Sequence, residues 1–398
     1  MEKVAPVIRF DNTERAYQAK SNSQLRQAYT MFRLINLPVL SRLGPWLLET
    51  AFRFKLPIEG IVHRTLFQLF CGGRTLDEVK DTARHWASYH VKTGLGYSVE
   101  AEKTEEGFEI VKNETINSLR YSADHPEIVW VAAKLTGLGS IELMEKKQAG
   151  ESLSADEQGA YQRLVNRVDA ICQAALDADT AVYIDAEETW IQEVIDDIAE
   201  SMMAKYNTDR AIVYTTIQMY RKDRLTYLEE LIAHSNEQNY VLGVKLVRGA
   251  YIEKETHRAE EMEYENPLQV SKEATDKDYN EGLALCVQNI AHLELCAATH
   301  NEDSCLLLTR LMDQYGVPHN HPCVSVAQLQ GMAEHISYNL AHEGYNVVKY
   351  TPYGPVRSVI PYLIRRAEEN SSVAGQSNRE LELLRSELHR RKKLFSLL

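Results

Sequence analysis

No stretch of this 398-residue chain approaches the ~18 to 20 consecutive apolar residues that a bilayer-spanning helix needs. Positive charge is in deficit too: 44 Lys and Arg stand against 57 Asp and Glu, a formal net charge of −13. Phosphate backbones are bound by a surplus of cations, so nucleic acid is not an expected partner. Cysteine is sparse and scattered. Cys71, Cys172, Cys286, Cys296, Cys305 and Cys323 form no CxxC pair, which argues against a zinc site or a disulfide framework and for reduced thiols used as apolar filler. No GxGxxG follows a candidate strand, so the usual Rossmann cradle for a dinucleotide is not expected. Internal repeats and low-complexity tracts are lacking as well. Residues 1–15 mix acids with bases, unlike a signal or transit peptide, although a leader already removed would leave no trace. The corresponding expectation is a cytoplasmic protein, or a mitochondrial matrix protein if it is a processed eukaryotic chain.

What is present suits a globular fold: 44% hydrophobic and 25% charged residues. Residues 1–20 are polar and aperiodic and read as an arm. Ser23 to Ala87 is rich in helix formers with breaks near Pro38, Pro45 and Pro57, which predicts packed accessory helices in a segment spanning 1–90. Over 91–398, short β-type runs alternate with long amphipathic stretches. The candidate strands are Gly96–Glu100, Ile128–Leu135, Ala181–Asp185, Ile212–Thr216, Val241–Val247, Leu293–Ala298, Val324–Ala327 and Asn346–Tyr350. Eight strand–helix units predict an α/β chain, a (β/α)8 TIM-type barrel; an open doubly wound sheet is the alternative. Ser154 and Glu157 have the spacing of a capping box.

In such a barrel chemistry belongs where strands end and βα loops begin. Those positions hold Lys134, Asp185, Gln218, Lys245, His300 with Asn301, Gln328 and Tyr350. Ionisable groups are costly there unless paired, so the set points to a site, with internal ion pairs or solvated loop residues as the alternative. Val247-Arg248-Gly249-Ala250-Tyr251 follows a strong strand, and Gly249 would permit close approach of backbone to a ligand.

Near the C-terminus, Tyr353-Gly354-Pro355 reads as a turn into a helix. Tyr362, Arg365, Arg366 and Glu369 then fall at i, i+3, i+4 and i+7, on one face. Adjacent arginines beside a tyrosine and a glutamate suit a small zwitterion, because guanidinium groups fork onto a carboxylate. An ordinary solvated Arg–Glu face would give the same spacing.

Five ordered segments resemble the motifs of proline dehydrogenases: Lys134-Leu-Thr-Gly137, Asp185-Ala-Glu-Glu188, Lys245-Leu-Val-Arg-Gly-Ala-Tyr251, Ala298-Thr-His-Asn-Glu302, and Tyr350-Thr-Pro-Tyr-Gly-Pro355 followed by Tyr362 to Asn370. The resemblance runs from about Tyr97 to the C-terminal region and is nearest the single-activity, eukaryotic-like branch. It implies a distorted (β/α)8 barrel that holds FAD non-covalently, with the eighth helix closing the substrate site. It further implies that Lys134, Arg365 and Arg366 bind the carboxylate of L-proline, that Tyr350, Tyr362 and Leu329 pack on its ring, and that Glu369 pairs with an arginine. Asp185 matches the acid near flavin and lysine. Gln218, Lys245, Val247, Gly249, Tyr251, Thr299, His300 and Asn301 match cofactor-binding positions, with Lys245 near flavin N5 where many bacterial relatives carry arginine. The implied reaction is hydride transfer from the ring carbon beside nitrogen, with reoxidation by a membrane quinone.

Oxidation of 4-hydroxyproline is the alternative within the family. Outside it stands a barrel lyase with a Schiff base on Lys134 or Lys245, or a divalent metal on Asp185, Glu187 and Glu188. A catalytically idle barrel used for binding is a further alternative. His319-x-His321 lies in a Pro/Asn loop and reads as surface, so no metal is expected. Arg390 to Lys393 followed by Leu394, Phe395, Leu397 and Leu398 suggests peripheral contact with an anionic membrane, against the alternative of a helix packed on the barrel.

Overall fold

A computed structural model describes residues 8–37, 50, 54, 58–98, 102–372 and 376–395. Eight strands, β1 Val91–Tyr97, β2 Ile128–Ala133, β3 Ala181–Ile184, β4 Val213–Gln218, β5 Leu242–Val247, β6 Leu293–Ala298, β7 Val324–Leu329 and β8 Val347–Tyr353, close into one barrel in sequence order. The barrel expectation holds and the open sheet does not. Helices follow every strand, among them Glu105–Ala123, Ala155–Asp177, Thr189–Tyr206, Arg224–Gln238, Lys272–Gln288, Glu302–Gln314 and Glu334–His342. Ser154 and Glu157 form the capping box that their spacing predicts.

One strand needs correcting. β1 begins at Val91, five residues before the expected Gly96, and Glu100 lies outside the described residues. Gly94 and Gly96 interrupt the β-type pattern, yet glycine is required inside the barrel: a Cβ at Gly94 would lie 2.2 Å from the Trp130 ring. Trp130 stacks on Tyr183 at 4.6 Å between centroids, and Tyr183 on Tyr214 at 4.2 Å. These three rings come from adjacent strands and form one layer of the interior. Because side chains alternate along a strand, Lys134, Asp185, Thr216 and Gln218 continue the faces that carry Trp130, Tyr183 and Tyr214. A polar layer therefore caps the aromatic one at the strand ends.

The chain packs as two compact units, one of residues 94–327 and one of 1–93 with 328–398. In the second, Phe32, Phe67, Phe70, Val359, Leu363 and Leu384 centre a core shared by the helix Asn22–Ile35, the turn His63–Phe67 and the last two helices, Val356–Ser372 and Gln376–Phe395. The segment leaving this core pairs with the end of β8, Gly72 donating to Pro352 O at 2.9 Å and Gly354 to Gly73 O at 3.1 Å. The expected breaks at Pro38, Pro45 and Pro57 lie outside the described residues. No helix among the described residues is long and apolar enough to cross a membrane.

Candidate active site

The strand-end layer is organised by one carboxylate. Asp185, just past β3, receives an ion pair from Lys245 of β5, and Lys134 Nζ, just past β2, lies 3.7 Å from its other oxygen. Lys134 also donates to the Tyr251 hydroxyl at 3.2 Å. These three charged side chains are 10–19% exposed, so solvent screens them weakly. Burial alone would raise the Asp185 carboxyl, but the two ammonium groups outweigh it and hold the acid below its ordinary range. Lys134, Asp185, Lys245 and Tyr251 are thus brought into one network of contacts.

A second carboxylate ties the lysine loop to the neighbouring strand. Glu187 accepts from Thr136 N at 3.0 Å and from Thr136 Oγ1 at 2.5 Å, while Gln218 Nε2 donates to the Glu187 carbonyl at 2.7 Å. Burial pushes this carboxyl up to about 7, against the pull of Lys134 and the Thr136 bonds. Thr136 follows Lys134 by two residues, so Glu187 sets the loop that presents the lysine. Sequence reasoning placed Glu187 only among candidate metal ligands. The acids diverge instead: Asp185 faces two lysines, Glu187 faces Thr136, and Glu188 pairs with Lys254 at 2.8 Å.

Beyond β5, Val247 pairs with Gln218 in register. Gly249 has φ +129, and a Cβ there would lie 2.4 Å from the Tyr220 ring. The close neighbour of this glycine among protein atoms is that ring. Arg248, quoted in the motif but not assigned a role, donates to Asp276 at 2.6 Å, Thr299 at 2.6 Å and Ser304 at 2.9 Å, with its guanidinium carbon 4.3 Å from the Tyr279 ring centre. Thr299 also accepts from Asn301 N at 3.1 Å. The Asn301 side chain caps the helix Glu302–Gln314 by accepting from Ser304 N at 3.0 Å, and His300 between them is half-buried.

This donor set fits a phosphorylated, polar-edged ring cofactor. Arg248, which Asp276 shares, and a helix N-terminus face the same Thr299–Ser304 turn, and guanidinium and backbone N–H are the two kinds of donor that meet phosphate. At the end of β4 the buried Thr216 hydroxyl has no hydrogen-bond partner among the described residues, beside the amide of Gln218 and the ammonium of Lys245. A ligand with hydrogen-bonding edges would complete that layer.

The remaining candidates lie in the other unit. Tyr350, near the end of β8, meets Tyr362 edge-on at 6.5 Å, and the Arg366 guanidinium lies 5.2 Å from the Tyr362 ring centre. Tyr362 and Arg366 are each 6% exposed and Arg365 is half-buried, so this is not an ordinary solvated face. Leu329 and Tyr350 both pack on the core that contains Tyr362. Glu369 belongs to the same helix, and its side chain lies outside the described residues.

Comparison with known proteins gives this geometry a context. The family model described as proline dehydrogenase matches residues 79–379. Carbapenem antibiotics biosynthesis protein CarD of Pectobacterium carotovorum is 32% identical over 335 residues, covering 84% of this chain and 86% of its own length. Proline dehydrogenase 1, mitochondrial, of Dictyostelium discoideum is 29% identical over 426 residues, covering 96% and 74%. Hydroxyproline dehydrogenase of Xenopus laevis is 30% identical over 415 residues, covering 94% and 88%. Among solved structures, proline utilization A from Bdellovibrio bacteriovorus, inactivated by N-propargylglycine, superposes with a TM-score of 0.74 at 18% identity over 95% of this chain. The likeness covers 43% of that longer protein and is one of fold.

Proposed function

The chain belongs to the proline dehydrogenase family and is an oxidoreductase, and from that premise we propose that it oxidises L-proline to pyrroline-5-carboxylate with FAD. The observation that carries this reading is the buried Arg366 stacked on Tyr362. A buried guanidinium held beside an aromatic ring presents a planar fork whose geometry suits a carboxylate. Arg365, Arg366 and Lys134 take the substrate carboxylate, and Glu369 pairs with an arginine of that clamp. Tyr350, Tyr362 and Leu329 wall the pyrrolidine ring.

Gln218, Lys245, Val247, Gly249, Tyr251 and the Thr299–His300–Asn301 turn hold the cofactor. Bound FAD supplies the two-electron acceptor at N5. The chain's own contribution is orientation and charge: three cations fix the carboxylate so that the ring carbon beside nitrogen is held in place. As that C–H bond breaks with its electron pair, the nitrogen gives up a proton to solvent and the C=N bond forms. Asp185 holds the two ammonium groups of Lys134 and Lys245 in place through its two oxygens. Incubating purified protein and FAD with proline and an artificial electron acceptor tests the reading. A product two hydrogens lighter than proline supports it, and unchanged proline overturns it.

The Xenopus relative named for hydroxyproline favours 4-hydroxyproline as the second reading. Tyr350 argues for proline, since its ring leaves little room for an added hydroxyl. A quinone is the proposed acceptor, consistent with a matrix or cytoplasmic enzyme touching a membrane. In the tail helix Arg390 and Arg391 pair with Glu387, whereas Lys392, Lys393 and Leu394 are exposed. Co-sedimentation with anionic liposomes tests that contact; equal pelleting of the full chain and one ending at residue 389 rules it out.

A further inference from the structure

The loop Leu329–Ala333, between β7 and the helix Glu334–His342, is held in an unfavourable shape. Gly331 has φ +79, and a Cβ there would lie 2.3 Å from Leu69 O. Ala333 has φ +50, a conformation that a residue with a Cβ adopts only when its surroundings enforce it. Three hydrogen bonds do so from different directions. Gln330 N donates to Tyr350 O at 2.9 Å, Lys349 Nζ donates to Met332 O at 2.5 Å, and Ala333 N donates to Glu380 Oε1 of the tail helix at 2.5 Å.

Lys349 is wholly buried. Its ammonium also lies 3.5 Å from Leu329 O and 3.6 Å from Glu334 Oε2, and the other oxygen of Glu334 pairs with Lys20 at 3.2 Å. Burial pulls this ammonium below its ordinary value while Glu334 and Glu380 resist. A methionine of similar length would fill the space without the desolvation cost, so packing does not account for a lysine here. What the ammonium adds is direction: it gathers two carbonyls of the loop that begins with Leu329, from the strand position beside Tyr350.

We propose that Lys349 is a positioning residue that sets the substrate-facing wall formed by Leu329 and Tyr350, and that Glu380 holds the same loop from the tail helix. This rests on the reading of Leu329 and Tyr350 as the ring-binding wall. It gives the C-terminal helix a part in substrate selection through Ala333, without contact between that helix and the substrate.

The test uses the full chain loaded with FAD and compares wild type with Lys349→Met, Glu380→Ala and Glu380→Gln. Initial rates with proline and with 4-hydroxyproline are measured, alongside melting temperature. Lys349→Met should raise KM for proline about tenfold or more, change kcat less, and lower the proline-to-hydroxyproline ratio of kcat/KM about fivefold or more. Glu380→Ala should move both in the same direction. Glu380→Gln should restore them, because its amide oxygen still accepts from Ala333 N. Lowered melting temperature with KM and ratio unchanged would reduce both residues to structural supports and overturn the proposal. If Lys349→Met does not fold, the two Glu380 variants decide on the same criteria. A wild type inactive on proline would instead overturn the functional reading beneath it.

Discussion

Replacing Asp185 with asparagine removes a negative charge that Lys134 and Lys245 share, and leaves two largely buried ammonium groups facing a neutral amide. At 3.7 Å, one unit-charge pair is worth roughly 4 kcal/mol at an effective dielectric constant of ~20. Desolvation returns part of that, and breaking one side of a buried pair typically costs ~3 to 5 kcal/mol. At ~1.2 °C per kcal/mol, from an unfolding entropy of ~2.1 cal/mol/K per residue over 398 residues, the melting temperature of Asp185→Asn should fall by roughly 4 to 6 °C. Differential scanning fluorimetry near neutral pH and physiological salt is the assay, since pairs this buried are little screened. Adding Lys134→Met should recover at least about half the loss by removing one stranded charge. The sign of the pH dependence follows from the depressed Asp185 acid. Its stabilisation is present above its unfolded value of 3.8 and is lost as pH falls through the lower folded value, so the gap between wild type and variant should close in strong acid. An Asp185→Asn protein that melts within about 2 °C of wild type near neutral pH would refute the idea that this carboxylate organises the layer.

Arg365→Met or Arg366→Met should raise KM for proline about ten- to a hundredfold while FAD content is kept, since a charge-assisted bond to a desolvated carboxylate is worth roughly 1.5 to 3 kcal/mol; an unchanged KM removes the arginine from the clamp. Tyr350→Ser should narrow or reverse the preference for proline over 4-hydroxyproline, and rates for both substrates check it; an unaltered ratio dismisses the steric argument. Glu187 holds its proton more tightly folded than unfolded, at about 7 against 4.5, so its contribution favours the folded state in acid and declines as pH rises across that interval. Denaturation of wild type and Glu187→Gln at pH 5 and pH 8 should therefore show wild type relatively more stable at the lower pH, and the reverse order contradicts the assignment.

The barrel was legible because strand runs and amphipathic helices differ in period, and because Lys134, Asp185, Gln218 and Lys245 are polar where a buried strand ends. β1 was misplaced because Gly94 looks like a strand breaker until the Trp130 ring that requires a glycine there is known. Gly249 could be recognised as special, but not that the Tyr220 ring is its nearest protein neighbour, since that depends on the packing of the loop after β4. Glu187 stood out only as a candidate metal ligand, and Lys349 carried no signal of its own. Their partners Thr136 and Met332 lie 51 and 17 residues away, and a lysine inside a β-type run reads as an exposed position until the strand is seen to be covered. Glu380, 47 residues from Ala333, joins its loop only when the last helix folds back.

The most direct test of the central claim is an absorbance spectrum of the purified, FAD-loaded protein under anaerobic titration with L-proline. Loss of the visible flavin bands with one equivalent of proline oxidised per flavin is the predicted result. A flavin that binds and stays oxidised in excess proline, or a protein that takes up no FAD, would contradict the account.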